Sequence, residues 1–141
     1  MVDNGAMLQR PRRNRRTQAI RDLVHETALQ PADLIYPVFL HADKHDTPID
    51  AMPGQSRWSP VGLLGVAERA LEAGIRSVVL FPKIDDAKKD RLGTEAGNDD
   101  GLIPATLRSL KKHFPELTLI TDVALDPYNC DGHDGIVADD G

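Results

Sequence analysis

Three apolar runs alternate with two amphipathic segments between residues 34 and 125. The runs begin at Leu34 (LIYPVFL) and Ile75 (IRSVVLF), and the third extends from Leu117 to Leu125. Continuous runs of this kind are typical of strands that are buried on both faces of a parallel sheet. The segments between them repeat apolar residues at helical spacing, so the pattern predicts the order β, α, β, α, β.

Both amphipathic segments carry the end signals of helices. Ser59 followed by Pro60 suits the N-cap and first helical position, and Gly74 suits the end of the same helix. The second helix is predicted from about Gly101 to His113, where basic side chains favour the negative end of the helix dipole. A shorter helix is predicted over residues 15–27, ahead of the first strand.

Residues 41–59, between the first strand and its helix, are predicted to form a long loop that contains Pro48 and Pro53. Loops of that length in compact domains tend to be functional or to cover another surface. We expect His41 and His45 to be solvated there. A polar loop, residues 82–98, follows the second strand.

Alternating strands and helices predict a parallel sheet with helices outside it. The pattern fits the first three-eighths of a (β/α)8 barrel, since a whole barrel needs roughly 250 residues and this chain has 141. A small open α/β domain is the alternative. We divide the chain into an N-terminal arm, residues 1–33, and the first part of a TIM barrel, residues 34–141.

Composition restricts the classes of function. Hydrophobic residues make up 40% of the chain and charged residues 28%, as in soluble globular proteins. No apolar run approaches the roughly 18 residues of a membrane span, so no membrane partner is expected. The single cysteine, Cys130, cannot form an internal disulfide, which predicts a cytoplasmic location.

The net charge of −5 hides a strong asymmetry between the two ends of the chain. The arm is rich in arginine, yet it lacks the interleaved aromatic residues that stack on bases, so we expect a subunit contact rather than a nucleic acid. Its arginines are Arg10, Arg12, Arg13, Arg15, Arg16 and Arg21. The acidic end carries Asp122, Asp126, Asp131, Asp134, Asp139 and Asp140.

The densest group of chemically active side chains follows the third apolar run. Asp122 stands near the end of that run, and the loop beyond the run carries Asp126, Cys130, His133 and Asp134. This placement is typical of an active-site loop at the carboxyl end of a barrel strand. Asp126 and Asp134 either hold a hydrated cation or face solvent. We expect His133 to be structural and Cys130 to be incidental.

Several segments, in order along the chain, together resemble porphobilinogen synthase, also called delta-aminolevulinic acid dehydratase. They include the arm RPRRNRRT from Arg10, the strand DLIYPVF from Asp33 and the segment IDAMPG from Ile49. The others are Phe81-Pro82, GTEAGNDDGL from Gly93, TDVALDPY from Thr121 and GHDG from Gly132. The resemblance extends from Arg10 to nearly the end.

The resemblance implies a (β/α)8 barrel whose arm wraps a neighbouring subunit, in an enzyme that is typically a homo-octamer. Such enzymes condense two molecules of 5-aminolevulinate to porphobilinogen in tetrapyrrole biosynthesis, with release of two waters. Asp122 matches the family's active-site aspartate, which would orient substrate or take part in proton transfer.

The resemblance also bears on the metal. In the zinc-using branch, three cysteines occupy the positions of Ala124, Asp126 and Asp134. Thiolates select zinc, whereas carboxylates suit magnesium. The resemblance therefore implies the zinc-independent branch, with Mg2+ as cofactor and Asp126 and Asp134 as metal residues. Cys130 does not fall on a triad position.

The family's two Schiff-base lysines lie on later strands. The six lysines here are predicted in loops or in the last turn of a helix: Lys44, Lys83, Lys88, Lys89, Lys111 and Lys112. We expect none of them to be catalytic, and so expect this chain alone to have no synthase activity. The alternative function is a non-catalytic short chain that associates with full-length synthase subunits.

Overall fold

The computed structural model describes residues 11–136 and residue 138. The chain divides into two compact units, Met1–Gln30 and Pro31–Gly141. The first unit contains a 3-10 turn, Pro11–Arg15, and the helix α1, Gln18–Val24. Thr17 caps α1 by accepting a hydrogen bond from the backbone N–H of Ile20. Helix α1 is shorter than the predicted 15–27, because His25 already has extended backbone angles.

The second unit is an α/β structure whose described residues form one five-stranded sheet. The strands are β1 (Ile35–Leu40), β2 (Thr47–Pro48), β3 (Ser56–Trp58), β4 (Ser77–Pro82) and β5 (Thr118–Thr121). Their order in the sheet is β2-β3-β1-β4-β5. Strands β3, β1, β4 and β5 are parallel, and β2 pairs antiparallel with β3. The predicted parallel α/β fold is confirmed.

Strands β2 and β3 lie where a loop without secondary structure is predicted. They pair through Thr47 with Arg57 and Pro48 with Ser56, and the turn between them includes Gly54 at φ +83°. The backbone pairing of β3 with the end of β1 brings this segment into the sheet. Strands of two and three residues are too short for a hydrophobic period to reveal.

Two helices follow β3 and β4, as predicted. They are α2 (Pro60–Glu72) and α3 (Leu102–His113). Gly74 follows α2 at φ +84°, a conformation that glycine adopts without steric cost. At the end of α3, the Lys111 ammonium donates to the carbonyl oxygens of Pro115 and Leu117, at 3.2 and 2.6 Å.

The core lies between the two helices and one face of the sheet. Alternate residues of β1 and β4 are buried there, because successive side chains of a strand point to opposite faces. The buried cluster consists of Val38, Leu40, Leu63, Val66, Ala67, Val78, Leu80, Leu110 and Leu117.

The opposite face of the sheet carries Phe39 and Phe81, which are in register on β1 and β4. Their ring centroids are 5.8 Å apart, and both side chains are half-buried. The expectation that these strands are buried on both faces is therefore wrong for the described residues, since the helices cover one face.

Helix α2 begins with a cap that involves a residue from the preceding loop. The Ser59 hydroxyl accepts from the N–H of Gly62 at 3.0 Å and donates to the Asp46 carboxylate at 2.7 Å. The Ser59 N–H also donates to Asp46, at 2.8 Å. The two hydrogen bonds from Ser59, side chain first, hold the pKa of Asp46 below its ordinary 3.8. A side chain at Gly62 would overlap the Asp46 carboxylate.

We expect Ser59→Ala to lower the free energy of unfolding by about 1–2 kcal/mol, the usual effect of losing an N-cap. Ser59→Thr, which keeps the hydroxyl, is the matched control.

Because folding depresses the pKa of Asp46, the contribution of this carboxylate to the free energy of unfolding is present above pH 3.8 and is lost as the pH falls further. Denaturant unfolding of wild type and Asp46→Asn at pH 7 and pH 3 should show the larger difference at pH 7; an equal difference at both would contradict the assignment.

Candidate active site

The carboxyl ends of β1, β4 and β5 meet at one edge of the sheet. Leu40 is in register with Pro82, and Leu80 with Thr121. The residues that follow these strands therefore lie beside one another. Loops at the carboxyl ends of parallel strands form the active sites of barrel enzymes, so this edge is the candidate active site.

A cavity of about 250 Å³ opens at this edge. Its floor includes Phe39 and Phe81, and Pro127 reaches it from the loop after β5. Cationic side chains also line it. The full lining is Phe39, Arg57, Phe81, Pro82, Lys83, Ile84, Lys89 and Pro127. An apolar floor with positive charge around it suits a small organic anion.

Asp122, the predicted catalytic residue, follows the last residue of β5 directly and is exposed. Because Thr121 pairs with Leu80, Asp122 leaves the sheet beside the end of β4. Pro127, five residues further on, lines the cavity. The position agrees with the expected active-site loop, and the catalytic role of Asp122 stays a prediction.

Strand β5 ends four residues before the predicted Leu125. Beyond Thr121, Val123 is 93% exposed. The Asp134 carboxylate instead accepts the backbone N–H groups of Leu125 and Asp126, at 2.8 and 3.0 Å. These bonds hold residues 125–126 in a turn, so the apolar run does not continue as strand.

The two predicted metal residues, Asp126 and Asp134, are thus in contact. The contact joins the Asp134 carboxylate to the backbone N–H of Asp126 and does not join the two carboxylates. Both are exposed. Within residues 11–136, no three His, Cys, Asp or Glu side chains form a group that could hold a metal ion. Mg2+ keeps several waters and often takes only one or two carboxylates, and the role of Asp126 and Asp134 as metal residues stays a prediction. Cys130 is exposed, with its Sγ 3.6 Å from Asp131 Oδ1, and offers zinc one thiol.

His41 is not solvated, contrary to expectation: it is 4% exposed, directly after β1. Its Nδ1 lies 3.0 Å from the Asp43 carboxylate, and its Nε2 has no hydrogen-bond partner within the described part of the chain. Its backbone N–H donates to the carbonyl of Trp58 in β3, at 3.1 Å. No pattern in the sequence indicates β3, so the burial of His41 beside it could not be predicted either. His45 is exposed, as predicted.

Two residues that sequence reasoning missed join the loop after β4 to the loop after β5. Asp90 and Asn129 form a backbone bridge between these loops, and the Asn129 side chain is buried. Asp90 is itself a signal for a local turn, because an aspartate commonly accepts the backbone N–H of the residue two positions later. In the structure that residue is Leu92. Nothing in the sequence indicates the bridge to Asn129.

The other described side chains of the loop after β5 are exposed or half-buried. His133 is exposed. Tyr128 is half-buried, and burial, with the charge of Glu95 as a smaller cause, raises the pKa of its phenol. Asp131 pairs with Arg91 at 3.0 Å. Asp139 and Asp140 lie outside the described residues.

The six lysines lie at exposed or partly covered positions. None is buried, although Lys89 is partly covered and pairs with Asp86 at 2.9 Å. Lys88 pairs with Glu95 at 3.1 Å, and Lys111 caps α3. A Schiff-base lysine is activated by burial or by a neighbouring cation, and the expectation that none of the six is catalytic stays a prediction.

A parallel sheet with helices on one face and a loop-built cavity at its carboxyl edge is the arrangement expected for part of a (β/α)8 barrel. The barrel is incomplete in this chain, and the predicted fold class is confirmed by comparison with known proteins. Residues 8–141 match the model of the family described as delta-aminolevulinic acid dehydratase, and the chain belongs to this family.

Individual relatives agree. The chain is 54% identical over 137 residues to the chloroplastic delta-aminolevulinic acid dehydratase of Selaginella martensii and 53% over 135 residues to that of Glycine max. These alignments cover 96% and 94% of this chain, but only 33% and 32% of the relatives. The chain therefore spans about a third of their length.

A solved structure shows the same backbone. It is delta-aminolevulinic acid dehydratase (porphobilinogen synthase) from Toxoplasma gondii ME49, in complex with the reaction product porphobilinogen. The TM-score is 0.90 at 46% sequence identity, over 96% of this chain and 39% of that one.

The predicted cytoplasmic location is wrong. The relatives from Selaginella martensii, Glycine max, Hordeum vulgare and Arabidopsis thaliana are chloroplastic proteins, which contradicts this prediction. A lone cysteine excludes an internal disulfide, but it does not distinguish between compartments in which proteins lack disulfides. Among the described residues, no helix has the length and apolar character needed to cross a membrane.

Proposed function

We propose that the protein carrying this chain is a porphobilinogen synthase, which condenses two molecules of 5-aminolevulinate to porphobilinogen with loss of two waters. The observation that carries the proposal is the family match over residues 8–141, with Asp122 at the carboxyl edge of the sheet. The product in the Toxoplasma gondii structure supports the same chemistry.

In this reaction, Asp122 would orient the substrate or move a proton at its reacting carbon or nitrogen. The exposed carboxylate at the strand end leaves room for a substrate beside it. Arg57, Lys83 and Lys89 around the cavity provide charge that attracts a carboxylate. The lysines that form Schiff bases with substrate would come from elsewhere in the functional protein.

The first unit would serve assembly. Arg12, Arg13, Arg15 and Arg16 are exposed, as they would be if they contacted an acidic surface of a neighbouring subunit. We propose a homo-oligomer, an octamer as the family resemblance implies, built in part through this arm.

The direct test is turnover of 5-aminolevulinate, followed as porphobilinogen by mass spectrometry. We expect the protein that carries this chain to form porphobilinogen, and residues 1–141 expressed alone to form none, because none of their lysines is placed for a Schiff base. Turnover by the 141 residues alone would refute the second expectation. A protein that leaves 5-aminolevulinate unchanged would refute the proposed function.

We further propose magnesium as the cofactor, held through waters by Asp126 and Asp134. When bound, the cation would supply positive charge beside the acidic loop. We expect a chelator to reduce activity and Mg2+, but not Zn2+, to restore it. Asp134→Asn keeps an oxygen for the Leu125 and Asp126 N–H groups while removing the charge, and should raise the Mg2+ concentration required about tenfold or more. An unchanged requirement would exclude Asp134 as a ligand.

A further inference from the structure

The loops after β4 and β5 are joined by a set of contacts that the proposed chemistry does not explain. We call this set the two-loop clasp, and it consists of Asp90, Arg91 and Thr94 on one loop and Tyr128, Asn129 and Asp131 on the other. The Asp90 N–H donates to the carbonyl of Tyr128 at 3.3 Å, and the Cys130 N–H donates to the carbonyl of Asp90 at 3.1 Å. These two bonds form a parallel bridge outside the five strands.

The side chain of Asn129 lies at the centre of the clasp and is only 5% exposed. Its Nδ2 donates to the carbonyl of Arg91 across the gap between the loops, at 3.1 Å. Its Oδ1 accepts the N–H of Asp131 in its own loop, at 2.6 Å. A buried amide with both ends satisfied is costly to replace, because truncation leaves a carbonyl and an N–H without partners. The Arg91–Asp131 ion pair of the clasp, by contrast, is exposed.

The Asp90 carboxylate shapes its own loop, the one that follows β4. The carboxylate accepts the N–H groups of Leu92 and Thr94, at 2.9 and 3.1 Å, and also the Thr94 hydroxyl. The loop turns at Gly93, whose φ of +64° is in the left-handed region. The hydrogen bond from the Thr94 side chain, followed by that from its backbone, lowers the pKa of Asp90. The carboxylate therefore stays ionised and keeps accepting at neutral pH.

The clasp is adjacent in sequence to two walls of the cavity. Lys89, which lines the cavity, immediately precedes Asp90, and Pro127, which lines it from the other loop, immediately precedes Tyr128. Any separation of Asp90 from Tyr128 would move both walls. Asp126, the predicted metal residue, precedes Pro127 and would move with it.

We propose that Asn129 and Asp90 are positioning residues, which lock the two loops together and thereby fix the cavity walls formed by Lys89 and Pro127. Neither residue contacts the reacting atoms in this proposal. The claim rests on the proposed function, since it places the cavity in the path of 5-aminolevulinate. A cavity wall that is already ordered lowers the cost of binding, so its loss should raise KM more than it lowers kcat.

The test compares Asn129→Ala with wild type in the protein that carries this chain. Because truncating a buried amide can also impair folding, a second pair of variants isolates the hydroxyl contact to Asp90. Thr94→Val removes the hydroxyl at nearly constant shape, and Thr94→Ser keeps it. Arg108→Gln, which breaks an exposed ion pair with Asp100 away from the clasp, is the control for surface charge.

Two readouts are needed. The first is kcat and KM for 5-aminolevulinate, and the second is hydrogen–deuterium exchange of residues 86–95 and 122–131 without substrate. We expect Asn129→Ala to raise KM at least fivefold, to change kcat less than twofold, and to speed exchange in both loops. Thr94→Val should show the same pattern more weakly, and Thr94→Ser and Arg108→Gln should resemble wild type.

A merely structural role would reduce the folded fraction and leave the KM of the remaining enzyme unchanged. Unchanged KM with faster exchange would therefore overturn the positioning role, and unchanged exchange in Asn129→Ala would overturn the clasp itself. If wild type does not consume 5-aminolevulinate, the proposed function fails independently. The exchange data then still show whether Asn129 holds the two loops together, because the exchange measurement requires no substrate.

Discussion

Asp122→Asn is expected to lower kcat/KM for 5-aminolevulinate by about 10²–10⁴-fold, the usual range for losing a side chain that transfers a proton. The amide keeps the size of the carboxylate, but it can neither accept a proton at neutral pH nor carry negative charge. Asp122 lies beyond the last paired residue of β5 and is exposed. Its replacement should therefore leave the fold intact and act on turnover.

The matched control for this prediction is Asp100→Asn. Asp100 is also an exposed aspartate, ion-paired with Arg108 at 3.0 Å, and it lies before α3 rather than at the end of a strand. We expect less than a twofold change in kcat/KM for this variant. Steady-state kinetics with both purified variants measure the difference. Equal activities in Asp122→Asn and Asp100→Asn would remove Asp122 from the mechanism.

Leu80→Ala is expected to cause the largest loss of stability, about 2–5 kcal/mol in the free energy of unfolding. Leu80 lies in β4, between β1 and β5, and has 0% exposure. It belongs to the cluster that joins the sheet to both helices. Truncation removes buried methyl groups and leaves a cavity that the surrounding strands cannot readily fill.

Leu92→Ala provides the control, because the same atoms are removed from a side chain that is 65% exposed. The expected change is about 0.5 kcal/mol or less. Denaturant unfolding, followed by circular dichroism, measures both variants. Comparable losses at the two positions would contradict the assignment of the core to the helix-covered face of the sheet.

The two larger helices could be predicted almost to the residue because their signals are local. Ser59 and Pro60 start α2, and Gly74 follows its end, each through the backbone geometry of its own neighbourhood. For α3, the predicted start at Gly101 is the N-cap, and His113 is the last helical residue. The parallel arrangement followed from the alternation of these helices with apolar runs.

The end of β5 and the hairpin of β2 and β3 could not be predicted because they depend on distant partners. Val123 and Leu125 extend an apolar run, yet Asp134, eight to nine residues later, takes the N–H groups of Leu125 and Asp126. No period in the sequence reports such a bond. Likewise, β3 is a strand because it pairs with β1 and β2.

For the candidate site, the sequence indicated the loop after β5 but not the residues that hold this loop in place. Asp122 could be singled out because a polar residue ends a β-branched run, a local signal. Asn129 reads as an ordinary loop residue, and its burial depends on Arg91, 38 positions away. The burial of His41 similarly depends on β3. Residues that line the site are therefore easier to predict than residues that hold it in place.

The central claim is that chemistry occurs at the carboxyl edge of β1, β4 and β5. A crystal structure of the protein that carries this chain, soaked with porphobilinogen, tests it most directly. We predict that the product lies at this edge, in the cavity above Phe39 and Phe81 and beside Asp122. Product bound away from this edge, with the cavity filled by water alone, would contradict the account.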